Sequence, residues 1–330
     1  MRAELGLKTS PQIETIDFCP PYASRMTDTP QSRLPPLNIV VATQPNLRGQ
    51  LSIHLPENHS VARLPNAQFV ELWTAIKQLI SFLNSASTPM RYAAATDGTQ
   101  SVQLFPIRPL VDKWEAITSG NPRLYDCYPG FLTSGNGPRA KSEDLESTQG
   151  RITKASGWKT PSYDYLDDPS DDNLFAKLVR GEIPQWRVWE DDAHVAFLTP
   201  FANTTGFTVL VPRRHLSSNV LSLNDSEFAP LMGAVWKVSQ FLKQGLQVPR
   251  VGIFVEGFEI DYAHVKLIPV QADSDDGESQ TATQSAGPYL EEYPGFLSTQ
   301  LGPLRSPTDL YIPPGFEEAR GKWLNTVNSR

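Results

Sequence analysis

A five-residue sequence that occurs twice is the feature that most constrains the fold of this chain. Tyr-Pro-Gly-Phe-Leu stands at residues 128–132 and again at 293–297, and in both places Gly-Pro follows at the same interval. Upstream of the two copies, Pro56-Glu-Asn-His59 aligns with Pro212-Arg-Arg-His215. Self-similarity of this kind indicates an internal duplication. The sequence therefore predicts two modules with one fold.

Each module has a pattern of short strands around a single helix. Apolar residues recur at helical spacing in 69–83 and in 228–242, so each of these segments is predicted to be a helix with one apolar face. Short apolar or alternating segments flank both helices and predict strands. These segments are 38–42, 50–55, 91–95, 101–105, 195–198, 207–211, 251–255 and 263–268. The predicted fold class is α+β, with two modules that each combine an antiparallel sheet and a helix.

Composition shifts along the chain give the predicted domain boundaries. Residues 1–36 lack any apolar period and predict a disordered tail. The first module is predicted at 37–140 and the second at 173–303. The Ser-, Thr- and Asp-rich segment 141–172 predicts a linker, and an extension with a short helix occupies 304–330.

The composition also limits the classes of partner. The net charge of −7 and the pI near 5.3 argue against general binding to nucleic-acid polymers or to a membrane surface. Two cysteines, Cys19 and Cys127, are too few for a disulfide framework and fit a reducing compartment. No apolar run approaches the roughly 20 residues of a membrane helix, and no signal peptide is evident. We therefore expect a protein of the cytoplasm or the nucleus.

The segment 259–269 carries the candidate reaction site. On a strand, side chains two residues apart face the same way, so Tyr262, His264 and Lys266 are predicted to share one face. Ala263 and Val265 would lie on the other face, together with Leu267. Three polar side chains in a row indicate either a reaction site or an edge strand whose polar face is in water.

The second module resembles the histidine triad (HIT) family. The resemblance spans about a hundred residues in the family's order and rests on five segments. They are 173–184 (NLFAKLVRGEIP), 188–192 (VWEDD), 196–200 (AFLTP), 206–215 (GFTVLVPRRH) and 262–269 (YAHVKLIP). HIT proteins are typically symmetric dimers with one continuous sheet, so the resemblance implies that a tandem copy forms the same pair within one chain, as a pseudo-dimer.

The family motif is His-x-His-x-His, and its middle histidine attacks the α-phosphorus of a nucleotide. His264 matches this nucleophile, whereas Tyr262 and Lys266 replace the first and third histidines. A tyrosine hydroxyl donates hydrogen bonds and a lysine binds phosphate oxygens as a point charge. Both are therefore expected to contact the phosphoryl group, and Lys266 is expected to lower the pKa of His264.

Further residues are expected to bind the substrate by the same resemblance. Thr199 stands where many members have an aspartate that holds a ribose hydroxyl, and Asn203 follows in the same loop. Arg213 and Arg214 are candidates for steering phosphate, although an exposed basic pair is often only solvated. His215 matches a histidine commonly found near the active-site strand, where it either contacts substrate or braces the site.

The first module has lost the nucleophile. Ser101 stands at the position that corresponds to His264, and Thr99 and Gln103 stand at those of Tyr262 and Lys266. His59 is retained and corresponds to His215. We expect the first module to complete the sheet and to wall the pocket, which leaves at most one working site per chain.

The leading functional hypothesis is a divergent HIT hydrolase or transferase that acts on a nucleotide or another phosphorylated small molecule through His264. The alternatives are an inactive binding or scaffold protein, and a HIT fold recruited to other chemistry, including a Schiff base on Lys266. No cofactor is expected. No metal site is expected either, because His264 has no second histidine or cysteine at ligand spacing.

Overall fold

The computed structural model describes residues 33–107, 114–118, 120–271 and 286–329. The predicted disordered tail lies outside this part of the chain, except for its last residues, where the side chain of Leu34 is buried. The acidic segment between the last strand and the second Tyr-Pro-Gly-Phe-Leu also lies outside it.

The described strands form one nine-stranded sheet in which every neighbouring pair is antiparallel. The strands are β1 (Asn38–Val41), β2 (Leu51–His54), β3 (Tyr92–Thr96), β4 (Ser101–Pro106), β5 (Trp186–Glu190), β6 (His194–Leu198), β7 (Thr208–Pro212), β8 (Arg250–Val255) and β9 (Val265–Val270). Their order is β1-β2-β4-β3-β8-β9-β7-β6-β5. Strands β3 and β8 join the two halves of the chain at the middle of the sheet.

Five α-helices occur in the described residues. They are α1 (Asn66–Ala86), α2 (Ser142–Ser156), α3 (Leu174–Val179), α4 (Asp225–Leu246) and α5 (Phe316–Asn328). The side chain of Asn224 accepts a hydrogen bond from Glu227 N and caps α4, as expected of an asparagine at this position. None of these helices combines the length and the apolar character needed to cross a membrane.

Two apolar layers lie on opposite faces of the sheet. Helices α1 and α4 bury their apolar faces in one layer, which also takes Ala263, Val265 and Leu267. The other layer contains Tyr262 and the α3 residue Phe175. The predicted alternation along the 262–267 segment is therefore confirmed, and it turns the polar side chains away from the large helices.

The segment 141–172, predicted as a linker, contains helix α2, which the sequence reasoning missed. Its apolar residues are few, but Leu145 and Ile152 are buried in the layer that contains α4. Gly157 ends the helix in the left-handed conformation, with φ of 68°. The high polar content of this segment reflects a helix that buries only a narrow stripe.

The two Tyr-Pro-Gly-Phe-Leu segments contact each other through matched backbone hydrogen bonds. Ser134 N donates to Leu297 O at 3.0 Å, and Thr299 N donates to Leu132 O at 2.9 Å. Each segment then continues to the opposite half of the chain. Gly137 N donates to Phe201 O, and Gly302 N donates to Gln44 O.

Replacing Gly137 with alanine is expected to lower the free energy of unfolding by about 2 kcal/mol or more, as for other overpacked sites. A Cβ at this position would meet Ala202 O at 2.0 Å, so the backbone contact would have to open. Urea denaturation measures the change. Gly150→Ala in α2 is the control, because nothing lies within 4 Å of its new methyl group. Helix propensity predicts a gain of roughly 0.5–1 kcal/mol there, and equal losses for both variants would contradict the prediction.

Candidate functional site

Strand β9 lies inside the sheet, between β7 and β8. The hypothesis of an edge strand with its polar face in water is therefore wrong. Tyr262, His264 and Lys266 are all buried. Buried polar groups need partners, and the partners of these three side chains define what each can do.

Tyr262 is enclosed and does not line the cavity beside His264. Its hydroxyl donates to Pro212 O at 2.8 Å, its ring stacks on His215, and the edge of Phe175 packs against it. Burial raises the pKa of its phenol. Its expected contact with a phosphoryl group is wrong, because the hydroxyl is already used to hold the end of β7.

His264 is fixed as a neutral imidazole with one free nitrogen. Its Nδ1 lies 2.7 Å from Tyr262 O. A carbonyl oxygen only accepts, so Nδ1 carries the proton and Nε2 keeps its lone pair. Burial, and next the charge of Lys266, lower the pKa of His264 to about 4. The expected effect of Lys266 on this pKa is therefore present, but desolvation is the larger cause.

Lys266 is a buried cation whose donors point at the protein. Its Nζ donates to Ser134 O at 3.1 Å and to Glu259 Oε2 at 3.2 Å, and it lies 3.4 Å from Glu256 Oε1. Burial alone would lower the pKa of Lys266, but the two carboxylates outweigh it and raise the pKa. An ammonium group has three N–H donors, and three acceptors surround this one.

The contacts and the raised pKa of Lys266 bear on two of its predicted roles. Direct contact with phosphate is disfavoured in this arrangement, because two of the three donors are hydrogen-bonded to Ser134 O and Glu259 Oε2 and the ammonium is also paired with the buried carboxylate of Glu256. A Schiff base requires a neutral amine, which the raised pKa opposes. Lys266 instead acts on His264 through its charge.

The sequence reasoning missed the carboxylates and the amide that complete this cluster. Glu256 follows β8 directly and accepts a hydrogen bond from the Tyr293 hydroxyl at 2.5 Å. Glu259 accepts from Asn136 Nδ2 at 2.9 Å, and its charge pairs with Lys266. Burial raises the pKa of Glu259, but Lys266 and Asn136 together hold it below its usual range. The sequence signal that could have revealed them is a lysine, Lys266, in an otherwise apolar strand, because a buried lysine needs anionic partners.

His264 and Lys266 line a cavity of about 350 Å³. Most of its wall is apolar and comes from α3, the loop after it, and strands β5 to β7. Phe175, Leu178, Ile183, Trp186, Phe197 and Val209 belong to this wall. Its polar end consists of His264, Lys266, Glu259 and Asn136, and Arg139 lies at the rim. Apolar cavities with a few convergent polar groups are typical ligand sites.

Of the two loop residues expected to bind substrate, Thr199 and Asn203, only Thr199 lies at the cavity. Thr199 lines the cavity, and its hydroxyl oxygen accepts from Phe201 N at 3.1 Å. Asn203 is buried elsewhere and donates to the backbone oxygens of Thr133 and Gly135. Its expected role in substrate binding is therefore wrong, and it holds the segment that follows the first Tyr-Pro-Gly-Phe-Leu.

The Arg213 side chain is also buried away from the cavity. It donates to the backbone oxygens of Asp191, Ser162 and Asp164, and pairs with Glu190 at 3.2 Å. The expected steering of phosphate by Arg213 is wrong, because its guanidinium ties 158–172 to the sheet. The neighbouring Arg214 is exposed.

His215 is a bracing residue by its contacts. Its Nδ1 lies 2.7 Å from Asp171 Oδ2 and its Nε2 lies 2.8 Å from Asp261 O. Its ring stacks on Tyr262 with centroids 4.6 Å apart. Of its two expected roles, the structure therefore favours bracing of the segment that leads into β9.

The first half has no imidazole at the position that corresponds to His264. Ser101 and Gln103 lie on β4, and Gln103 Nε2 donates to the hydroxyls of Ser101 and Ser52. His54 lies opposite Ser101 in the pairing of β2 with β4, and burial lowers its pKa. The Ser101 hydroxyl is engaged with Gln103.

Comparison with known proteins places the second half in a family. The HIT domain model matches residues 180–271, which include His264 and most of the cavity wall. An uncharacterized HIT-like protein of Methanocaldococcus jannaschii is 30% identical over 100 residues, which are 29% of this chain and 77% of that protein. An uncharacterized HIT-like protein of Borreliella burgdorferi is 29% identical over 105 residues, which are 30% of this chain and 75% of the relative.

Among solved structures, a GalT-like protein of Arabidopsis thaliana matches 78% of this chain and 81% of its own, with 10% identity and a TM-score of 0.43. The family match and the curated relatives both fall on the half that holds the cavity and its neutral imidazole. The chain belongs to the HIT family.

Proposed function

We propose that this protein is a divergent HIT hydrolase or transferase in which His264 attacks a nucleotide or another phosphorylated small molecule. The observation that best supports this proposal is the neutral imidazole of His264. Its Nδ1 donates to Tyr262 O, and its Nε2 is free to face the cavity. A nucleophilic histidine must be neutral and oriented, and burial meets the first requirement by lowering its pKa to about 4.

The reaction would proceed in two displacements at phosphorus. Nε2 forms a bond to phosphorus as the bond to the leaving group breaks, which gives a phosphoryl- or nucleotidyl-histidine. Water or another acceptor then attacks the same phosphorus and releases the imidazole in its neutral form. Lys266 keeps the imidazole neutral before the attack through its positive charge. The same charge disfavours the positive charge that the ring gains when Nε2 binds phosphorus, so it favours the second step, in which the phosphorus–nitrogen bond breaks and the ring becomes neutral again.

We further infer that the chain is a duplicated pair of HIT-like modules, at 37–140 and 173–303, that form an intrachain pseudo-dimer. The matched contacts of the two Tyr-Pro-Gly-Phe-Leu segments support this inference. Asn46 adds to it, since its amide donates to Ser298 O and Gln300 O much as Asn203 donates to the first segment. In this arrangement the first module supplies Asn136 to the site in the second.

A second candidate is a binding protein without turnover, or a HIT fold used for other chemistry. Two observations favour it. The donors of Tyr262 and Lys266 are both engaged within the protein, and Thr199 offers no carboxylate to a ribose. Apart from Lys266, Arg139 at the rim is the only cationic side chain among the described residues that line the cavity, so neutral donors would have to hold most of an anion at the reacting group.

The pH dependence of turnover separates the two candidates. Dinucleoside polyphosphates, nucleoside phosphoramidates and other phosphate esters are assayed across the range in which the protein stays folded. Catalysis by neutral His264 predicts that kcat/KM holds through pH 6.5 and declines only toward its pKa of about 4. No turnover of any compound, together with saturable binding, would favour the second candidate.

Stability should fall over the same acid interval, and the sign follows from proton uptake. Unfolded His264 takes up a proton near its ordinary pKa of 6.5, whereas folded His264 takes it up only near 4. Between these values the unfolded state binds more protons, so acid favours unfolding. Activity is therefore normalised to the folded fraction, which is measured by circular dichroism at each pH.

A further inference from the structure

The cavity beside His264 presents a carboxylate, rather than an ammonium, to its contents. The side chain of Glu259 is 30% exposed, whereas that of Lys266 is 9% exposed. Glu259 is also held in its ionised form, because Lys266 and Asn136 lower its pKa. A ligand head that approaches His264 therefore meets a negative charge first.

The charges behind Glu259 do not reverse this sign. Glu256 is buried, pairs with Lys266 and accepts from Tyr293, so the single ammonium faces two carboxylates. Arg91 stays charged, but it does not line the cavity, and its guanidinium donates to the backbone oxygens of Glu256 and Gly257 and stacks over Phe258. Arg139 is exposed at the rim, where solvent screens it.

The opposite end of the cavity is apolar and extends to the surface. Leu174 and Phe201 both line the cavity and are 46% and 44% exposed. Exposed apolar side chains at the mouth favour a ligand whose apolar body fills the cavity and reaches its rim. The ligand class is thus set by an aromatic and aliphatic wall at one end and by a carboxylate at the other.

We propose that Glu259 is a specificity-determining residue that selects an apolar ligand whose head carries no negative charge or only one. A doubly charged terminal phosphate on the same body is disfavoured, because it would have to enter beside the Glu259 carboxylate while the ammonium of Lys266 is already paired with Glu256 and Glu259. For the function proposed above, on which this inference rests, the selection favours a phosphodiester or phosphoramidate with one negative charge over a terminal phosphate with two. The selection is a property of binding and does not require turnover.

Asn136 positions this carboxylate. It lies beyond the first Tyr-Pro-Gly-Phe-Leu segment and donates to Glu259 Oε1, while Lys266 binds Oε2. The two contacts hold the carboxylate from both sides and fix its direction. The position of the Glu259 carboxylate therefore depends on Asn136, which lies outside the 180–271 region that the family model matches.

A series of three naphthalene compounds with one apolar body tests the proposal. The series comprises 1-naphthylmethanol, 1-naphthylmethanesulfonate and 1-naphthylmethylphosphonate, which are neutral, singly charged and, at alkaline pH, doubly charged. Their affinities are measured by displacement of the fluorescent apolar probe N-phenyl-1-naphthylamine. None of the three can be hydrolysed at phosphorus, so the result is independent of catalysis.

In the wild-type protein, the neutral compound is expected to bind most tightly and the phosphonate least tightly. Glu259→Gln keeps the size and hydrogen-bonding capacity of the side chain and removes its charge. It is expected to improve phosphonate binding about tenfold and sulfonate binding about threefold, and to change binding of the alcohol by less than about twofold, as for loss of one partly screened charge. Glu318→Gln, on the exposed surface of α5, is expected to change none of the three.

Three outcomes would overturn the proposal. One is tighter binding of the phosphonate than of the alcohol in the wild-type protein. Another is an unchanged ratio of phosphonate to alcohol affinity in folded Glu259→Gln. The third is the absence of any saturable signal from N-phenyl-1-naphthylamine. If Glu259→Gln does not fold, the salt dependence of binding to the wild-type protein tests the proposal instead. Added salt should narrow the difference between the phosphonate and alcohol affinities. A difference that does not change with salt would count against the proposal.

Discussion

His264→Ala is expected to lower kcat for the phosphorylated substrate by at least about a thousandfold, because the variant has no nucleophile and no other imidazole lines the cavity. His264 presents its free Nε2 to the cavity, whereas the Tyr262 hydroxyl and two of the Lys266 donors are hydrogen-bonded within the protein. The loss should appear in kcat and kcat/KM together, while binding of the apolar part of the ligand persists. Steady-state kinetics and binding of N-phenyl-1-naphthylamine measure the two quantities.

His59→Ala is the matched control for this prediction. His59 is exposed and follows β2, which three strands separate from β9 in the sheet, so its removal should leave kcat within about twofold, as for a surface substitution away from any site. A folded His264→Ala protein that retains the wild-type rate would show that His264 is not the nucleophile.

Lys266→Met is expected to lower the free energy of unfolding by about 3–5 kcal/mol, the usual cost of breaking a buried ion pair by removing one partner. Lys266 is 9% exposed and Glu256 2% exposed at the side chain, so the carboxylate would be left in the interior without its cation. Methionine keeps most of the volume, which makes the lost charge the main effect. Urea denaturation at neutral pH measures the change.

Two companion variants make this second prediction specific to the buried cluster. Lys266→Met combined with Glu256→Gln removes both members of the buried pair and should recover part of the loss, because only the partly exposed carboxylate of Glu259 then lacks its cation. Lys322→Met breaks the exposed pair with Glu318 on α5 and should cost less than about 1 kcal/mol. Equal losses for Lys266→Met and Lys322→Met would contradict the cluster described for the site.

Local pattern was sufficient to predict most of the elements that position the site. The alternation along 262–267 depends only on the strand period and was confirmed, with Val265 and Leu267 in the layer under the helices. The predicted helices at 69–83 and 228–242 lie within α1 and α4. Both rest on a dense apolar period, which is the strongest signal a single sequence carries.

The missed features depend on contacts between distant residues. Asn136 and Glu259 are 123 positions apart in the chain, and Lys266 and Ser134 are 132 apart. No periodic pattern in the sequence indicates which distant residues will pair. Arg213 shows the same limit of local sequence patterns. An Arg-Arg pair has the same pattern whether it binds a ligand or, as Arg213 does, holds a buried segment in place. Helix α2 was missed because only a narrow stripe of it is apolar.

Mass spectrometry of the protein quenched within its first turnover tests directly whether His264 carries the transferred group. We expect a phosphoryl or nucleotidyl adduct on the peptide that contains His264. The adduct should be acid-labile, as expected for a phosphorus–nitrogen bond, and missing from His264→Ala. Turnover by the wild-type protein without any adduct on that peptide, or with an adduct at another residue, would contradict this expectation.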